Sequence, residues 1–311
     1  MKKVFIDGSV GTTGLEIRSR LEKRRDIELV ALPEERRKDP AARKEALDSC
    51  DVAFLCLPDD AAREAVSLVE NPAVTIIDAS TAHRVSEGWE YGFPELAGRR
   101  ERIASSRRIA NPGCHASGYI ALVEPLVRAG LLKKDAAPSA FSLTGYTGGG
   151  KKMIAAYEEA LSAGTQEYLG GRQYALGQMH KHLPEIAAVC SLPRMPVFSP
   201  VIVPHARGME TTVFLSENET SASVDEIRQV YRETYREGNG VVRFAEDLPG
   251  SGVVSSAAFA LRVGMAVSAF GTDGRIVLVS LFDNLGKGAS GAAIQNMNIA
   301  LGFPETEGLV L

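Results

Sequence analysis

Four short strand-like runs constrain the fold of this chain most. They are Lys3-Val4-Phe5-Ile6-Asp7, Ile27 to Leu32, Val52 to Leu57 and Val74 to Asp78. A strand with one wet face alternates apolar and polar residues. Runs that are apolar throughout are covered on both faces, as in parallel sheets. Helical patterns intervene, at about Leu15 to Lys23 and at Ala61 to Val69 with Asp59 or Asp60 as its cap. Strands and helices alternating in this way predict a doubly wound α/β domain over residues 1–113.

Past Cys114 the pattern changes. Pro200 to Val203, Thr211 to Leu215 and Arg275 to Leu281 are strand-like, and Val224 to Tyr235 is helical. A mixed or antiparallel sheet carrying helices is expected there. The tail from Lys287 to Leu301 is a helix rich in Ala and Gly, suited to close packing on the first domain. The expected architecture is therefore a Rossmann-type parallel sheet (1–113, completed by 286–311) plus an α+β domain (114–285). A length of 311 residues accommodates both.

A net charge of −4 gives no sign of a nucleic-acid partner. No apolar run approaches the ~18 residues of a membrane span, and the Met1-Lys2-Lys3 start lacks a secretory core. A cytoplasmic location is expected. The cysteines, at 50, 56, 114 and 190, form no C-x-x-C pair, so no metal site is expected.

Gly8-x-x-Gly11-x-x-Gly14 follows the first strand and opens the first helix. Glycines there let the backbone approach a pyrophosphate at a helix N-terminus. The alternative is a turn whose glycines serve packing only. After the second strand comes Glu34-Glu35-Arg36-Arg37-Lys38; a cation there suits the 2′-phosphate of NADP.

Asn111-Pro112-Gly113-Cys114 ends a strand and begins a helix predicted over Ser117 to Arg128. A thiol at that point feels the positive end of the helix dipole, which favours the nucleophilic thiolate. His180-Lys181-His182-Leu183-Pro184-Glu185 holds two of the five histidines and a carboxylate; Pro184 argues for an extended or turn conformation. An imidazole near a thiol can hold it as thiolate and pass protons in acyl transfer. Thr144 to Lys152 is a glycine-rich loop without P-loop spacing. Arg207 offers a cation, and Asn284 a carboxamide partner.

In this order, GSVGTTG at 8–14, DASTAHR at 78–84, ANPGC at 110–114, TGYTGGGK at 144–151, HKHLPEI at 180–186 and DNLGKGASGAAIQNMN at 283–298 resemble the N-acetyl-gamma-glutamyl-phosphate reductases. These are relatives of the aspartate-semialdehyde dehydrogenases. The resemblance spans essentially the whole chain and points to the compact subgroup. It implies NADPH-dependent reductive dephosphorylation of N-acetyl-L-glutamyl 5-phosphate in arginine biosynthesis. Cys114 would be the nucleophile, with His180, His182 and Glu185 supplying thiolate and proton chemistry. Gly8, Gly11, Thr12, Thr13, Gly14 and Arg36 would hold NADP, and Asn284 would meet its nicotinamide end. Arg84 and Asn111 would contact the substrate phosphate, Arg207 its carboxylate, and Thr144 would line the substrate. Apart from the resemblance, an extended sheet face in the second domain suits a homo-oligomer, dimer or tetramer. One departure is His115-Ala116-Ser117, where many members carry an aromatic residue and then Pro-Thr. Helical neighbours point different ways, so His115 is not expected to act with Cys114. Aspartyl or aminoadipyl phosphate as substrate, and a silent dinucleotide sensor, are the competing readings.

Overall fold

A computed structural model describes residues 1–236, 240–248 and 252–311. They divide into two compact units, Met1–Pro112 with Ala289–Leu309, and Gly113–Gly288 with Val310–Leu311.

The first unit runs β1 (Lys2–Asp7), α1 (Thr12–Leu21), β2 (Ile27–Val30), α2 (Pro40–Ser49), β3 (Val52–Leu55), α3 (Asp59–Leu68), β4 (Thr75–Asp78), β5 (Glu90–Tyr91), α4 (Arg99–Ser105) and β6 (Arg108–Ala110). Its six strands lie in the order β2-β1-β3-β4-β6-β5, and every neighbouring pair is parallel. Strands β3 and β4 are buried along their whole length, as continuous apolar runs require. The strand order reverses around β1, and crevices at such reversals are where open α/β sheets take ligands. Asp59 does not cap α3: Pro58 holds the cap position, and Asp59 accepts instead from the Thr81 backbone and hydroxyl.

The second unit runs α5 (Cys114–Arg128), β7 (Ala140–Gly145), α6 (Gly150–Ser162), α7 (Gln166–Leu169), β8 (Arg172–Gln173), α8 (Leu183–Val189), β9 (Phe198–Val203), β10 (Met209–Ser216), α9 (Val224–Thr234), β11 (Val242–Phe244), β12 (Met265–Thr272) and β13 (Arg275–Phe282). The seven strands form one mixed sheet, β11-β12-β13-β10-β7-β9-β8. Only β11/β12 and β7/β9 pair in parallel among the described residues. Helix α5 lies close to this sheet: Ser280 donates to the Gly118 carbonyl at 3.3 Å.

Two local expectations change. The glycine-rich stretch is compressed into one 3-10 turn, Tyr146–Gly149, and Lys151 onward joins α6, because the following residues are strong helix formers. His180 to His182 lie in a non-helical turn, as Pro184 argued, but Pro184 itself does not stay outside a helix. It sits in the first turn of α8, where a missing N–H costs nothing.

The chain closes the first unit with a π-helical turn leading into α10 (Gly291–Leu301). Ile294 and Met297 join Val4, Ile6, Ile17, Phe54 and Ile109 in one buried cluster.

Candidate active site

In the first unit, the glycines of the opening turn separate by cause. Gly8 has φ +85°, and a side chain there would overlap the Cys56 carbonyl. A Cβ on Gly14 would stand 2.5 Å from the Gly8 oxygen. Backbone packing explains both. Gly11 is different: its φ is −72°, and the nearest atom to a built Cβ is 3.4 Å away. Neither strain nor crowding demands glycine there. Gly11 is the N-cap of α1, no side chain caps that helix, and its first turn holds no acid. The buried Thr12 hydroxyl has no hydrogen-bond partner among the described residues. A bare, uncharged helix N-terminus with an unsatisfied hydroxyl fits a pyrophosphate. Thr13 is the second residue of α1. The Asp7 carboxylate beside this turn is paired with Arg43 Nε at 3.0 Å. Burial nevertheless raises its pKa, against the pull of Arg43. Arg36 stands exposed in the turn after β2, 3.4 Å from Asp39, and suits a 2′-phosphate.

Arg84 and Asn111 are linked. Arg84 Nε donates to the Asn111 carbonyl at 3.0 Å and its Nη2 to the Ala79 carbonyl at 3.2 Å. The Asn111 side chain is fully buried, donating to Ala289 O at 3.0 Å and accepting from Asn296 at 3.3 Å.

In the second unit, Cys114 is the first residue of α5, three residues ahead of the predicted start, with Gly113 as N-cap. The Gly113 N–H is taken by Glu185 Oε2 at 3.1 Å, and Glu185 is buried. So one HKHLPEI residue reaches the helix terminus that carries the thiol. Gly288 packs over the cysteine: a Cβ on it would lie 2.9 Å from Cys114 Cβ. The four cysteines form no disulfide. Burial pushes Cys50 and Cys56 up to about 12, which leaves their thiols protonated and inert.

His180 and His182 meet edge to face, ring centres 4.7 Å apart. His115 belongs to the same ring cluster. It is buried against both, at 5.3 Å from His180 and 5.8 Å from His182. Tyr174, which the sequence did not single out, joins them through its hydroxyl, 2.8 Å from His115 Nε2 and 3.4 Å from His180 Nε2. Burial first, and the Cys114 charge second, raise the Tyr174 phenol, so cysteine and tyrosine share one electrostatic neighbourhood. A hydroxyl six residues before His180 was the only sequence signal for it.

Arg207 grips Asp283 with Nε (3.0 Å) and Nη2 (2.8 Å). Asp283 also accepts the N–H groups of Leu285 and Gly286. Asn284 accepts from Gly208 N at 3.0 Å and donates to Thr147 at 2.9 Å. Thr144 is buried, and its hydroxyl and the Asn284 amide both flank Gly148. Among the described residues no trio of His, Cys, Asp or Glu is placed to hold a metal.

A glycine-turn parallel-sheet unit and a mixed-sheet unit with a helix-terminal cysteine define a class. The model of the semialdehyde dehydrogenase NAD binding domain matches residues 3–106. That of the semialdehyde dehydrogenase dimerisation domain matches 114–284. The chain belongs to the semialdehyde dehydrogenase family. Within it, the chain is 47% identical over 310 residues to proteins from Brucella ovis and Brucella canis, each named N-acetyl-gamma-glutamyl-phosphate reductase, covering 96% of this chain and 99% of each relative. Solved structures share the fold at lower identity. An aspartate semialdehyde dehydrogenase from Francisella tularensis has a TM-score of 0.73 at 14% identity, covering 96% of this chain and 99% of that one. One from Candida albicans, with NADP, has a TM-score of 0.66 at 16% identity, covering 97% and 99%.

Proposed function

We propose that this enzyme reduces N-acetyl-L-glutamyl 5-phosphate to N-acetyl-L-glutamate 5-semialdehyde with release of phosphate, a step of arginine biosynthesis. The observation that carries the reading is Cys114 at the start of α5, with Glu185 on its N-cap amide and Tyr174 of the histidine cluster close by. The 47% identity to reductases of that name supports the substrate.

The Cys114 thiolate attacks the acyl carbon, the carbon–oxygen bond to phosphate breaks, and a thioester remains. NADPH, when bound, supplies the hydride. Imidazole from His180 or His182 takes the proton of the Cys114 thiol and passes it to the departing phosphate; after hydride addition the thiohemiacetal alkoxide collapses, which frees aldehyde and the Cys114 thiolate. Glu185 fixes the helix terminus whose amides face the developing oxyanion. Arg84 seats the phosphate. Asn111, whose buried amide is spent on Ala289 and Asn296, serves that seat by holding Arg84 through its carbonyl. Arg207 meets the substrate carboxylate, and Thr144 with Asn284 shapes the acyl and nicotinamide ends. Gly8, Gly11, Thr12, Thr13 and Gly14 hold the pyrophosphate, and Arg36 the 2′-phosphate. On this reading residues 1–113 and 286–311 bind dinucleotide, and 114–285 carry the chemistry and assemble a homo-oligomer in the cytoplasm. No helix among the described residues is long and apolar enough to cross a membrane.

The test is phosphate-dependent NADP reduction with N-acetylglutamate, aspartate and aminoadipate semialdehydes. Preference for the first is expected; preference for aspartate semialdehyde would overturn the assignment.

A further inference from the structure

We propose that His115 is a positioning residue which, with Tyr174 and Ser142, locks the His180 imidazole in one tautomer and one orientation. The backbone N–H of His182 donates to His180 Nδ1 at 3.2 Å. A ring nitrogen that accepts carries no hydrogen, so in the neutral ring Nε2 bears it. That hydrogen faces the Tyr174 oxygen, at a long 3.4 Å. The Tyr174 hydroxyl then directs its own hydrogen to His115 Nε2 at 2.8 Å. His115 must therefore be protonated on Nδ1, which meets Ser142 Oγ at 2.8 Å. Ser142 in turn donates to the Glu210 carbonyl at 3.1 Å.

The reverse direction would strip both ring hydrogens from His180. The series starts on a backbone donor and ends on a backbone acceptor. Beside Ser142 stands the Thr211 hydroxyl at 3.0 Å, which can donate or accept, but the backbone N–H at the His180 end cannot change role, so the series holds a geometry there. Burial, and then the neighbouring His180, push His115 well below the ordinary imidazole range, which keeps it neutral as this arrangement requires. Its ring is braced edge to face by Phe198 at 5.3 Å.

What His180 does rests on the proposed reaction; the bond directions do not. Long-range nitrogen–proton NMR of histidine-labelled full-length protein is expected to show the Nδ1–H form for His115 and Nε2–H for His180. The opposite form at either ring overturns the proposal whether or not the enzyme reduces acyl phosphates, and it decides even where a variant fails to fold. In turnover, His115→Phe is expected to lower kcat by on the order of tenfold to a hundredfold with the KM for NADP unchanged. His115→Phe combined with His180→Asn should be no slower than His180→Asn alone. Losses that multiply would mean that His115 acts independently of His180. Loss of acyl-phosphate reduction is read separately, from Cys114→Ser.

Discussion

Cys114 and His115 are neighbours with opposite legibility. The strand–turn–helix context of Cys114 is written in adjacent residues, so its place at a helix N-terminus was readable. His115 finds its partners on Ser142 and Tyr174, far along the chain, and no local pattern announces them. Two outcomes belong to this scale. Iodoacetamide at neutral pH should label Cys114 well before Cys50, Cys56 or Cys190, with equal labelling counting against a reactive thiolate. Cys114→Ser should lower turnover by on the order of a thousandfold or more, and full activity would remove nucleophilic catalysis. His115 also predicts a pH effect. Its folded-state pKa lies below the ordinary 6.5, so below that pH the unfolded chain takes up a proton that the folded one refuses. Stability should therefore fall as pH drops from 6.5 toward the folded value, by up to about 1.4 kcal/mol per pH unit. Urea midpoints at pH 7.5 and 5.5 should converge less in the natural protein than in His115→Phe, where that slope is gone. Burial of His205 adds a slope of the same sign in both.

Among the elements, the buried strands of the first unit were the clearest in the sequence, because apolar runs leave few alternatives. Pro184 correctly signalled a turn at His180 to His182 but not the helix it opens, because the same residue that ends a helix interior also favours a helix start; the packing of Leu183 and Ile186 distinguishes the cases. The glycine turn was legible as a motif, but its three members were not separable until their surroundings were known. Gly8→Ala should destabilise the protein by about 2–4 kcal/mol in chemical denaturation, from strain and overlap together. Gly11→Ala should leave stability within about 0.5 kcal/mol and raise the NADP dissociation constant. If both lose stability alike, the glycines serve packing only.

For the whole molecule, the Ala- and Gly-rich tail signalled close packing. It did not disclose that Gln295 and Asn296 would be buried with partners in Glu95 and the Gly92 carbonyl. These polar contacts fix how α10 seats in the first unit. The fragment 1–112 should therefore show no cooperative thermal transition and no NADP binding by calorimetry, whereas a well-folded fragment would make α10 dispensable. During synthesis the same arrangement sets an order of events. The N-terminal sheet leaves the ribosome early, yet the helix that covers Val4, Ile6 and Phe54 emerges only after the entire second unit. At ordinary elongation rates that delay is roughly 10 to 40 seconds, during which the nascent first unit keeps an uncovered apolar face. The dinucleotide-binding unit is begun first and finished last, so nascent chains depend on chaperones most through the middle of translation.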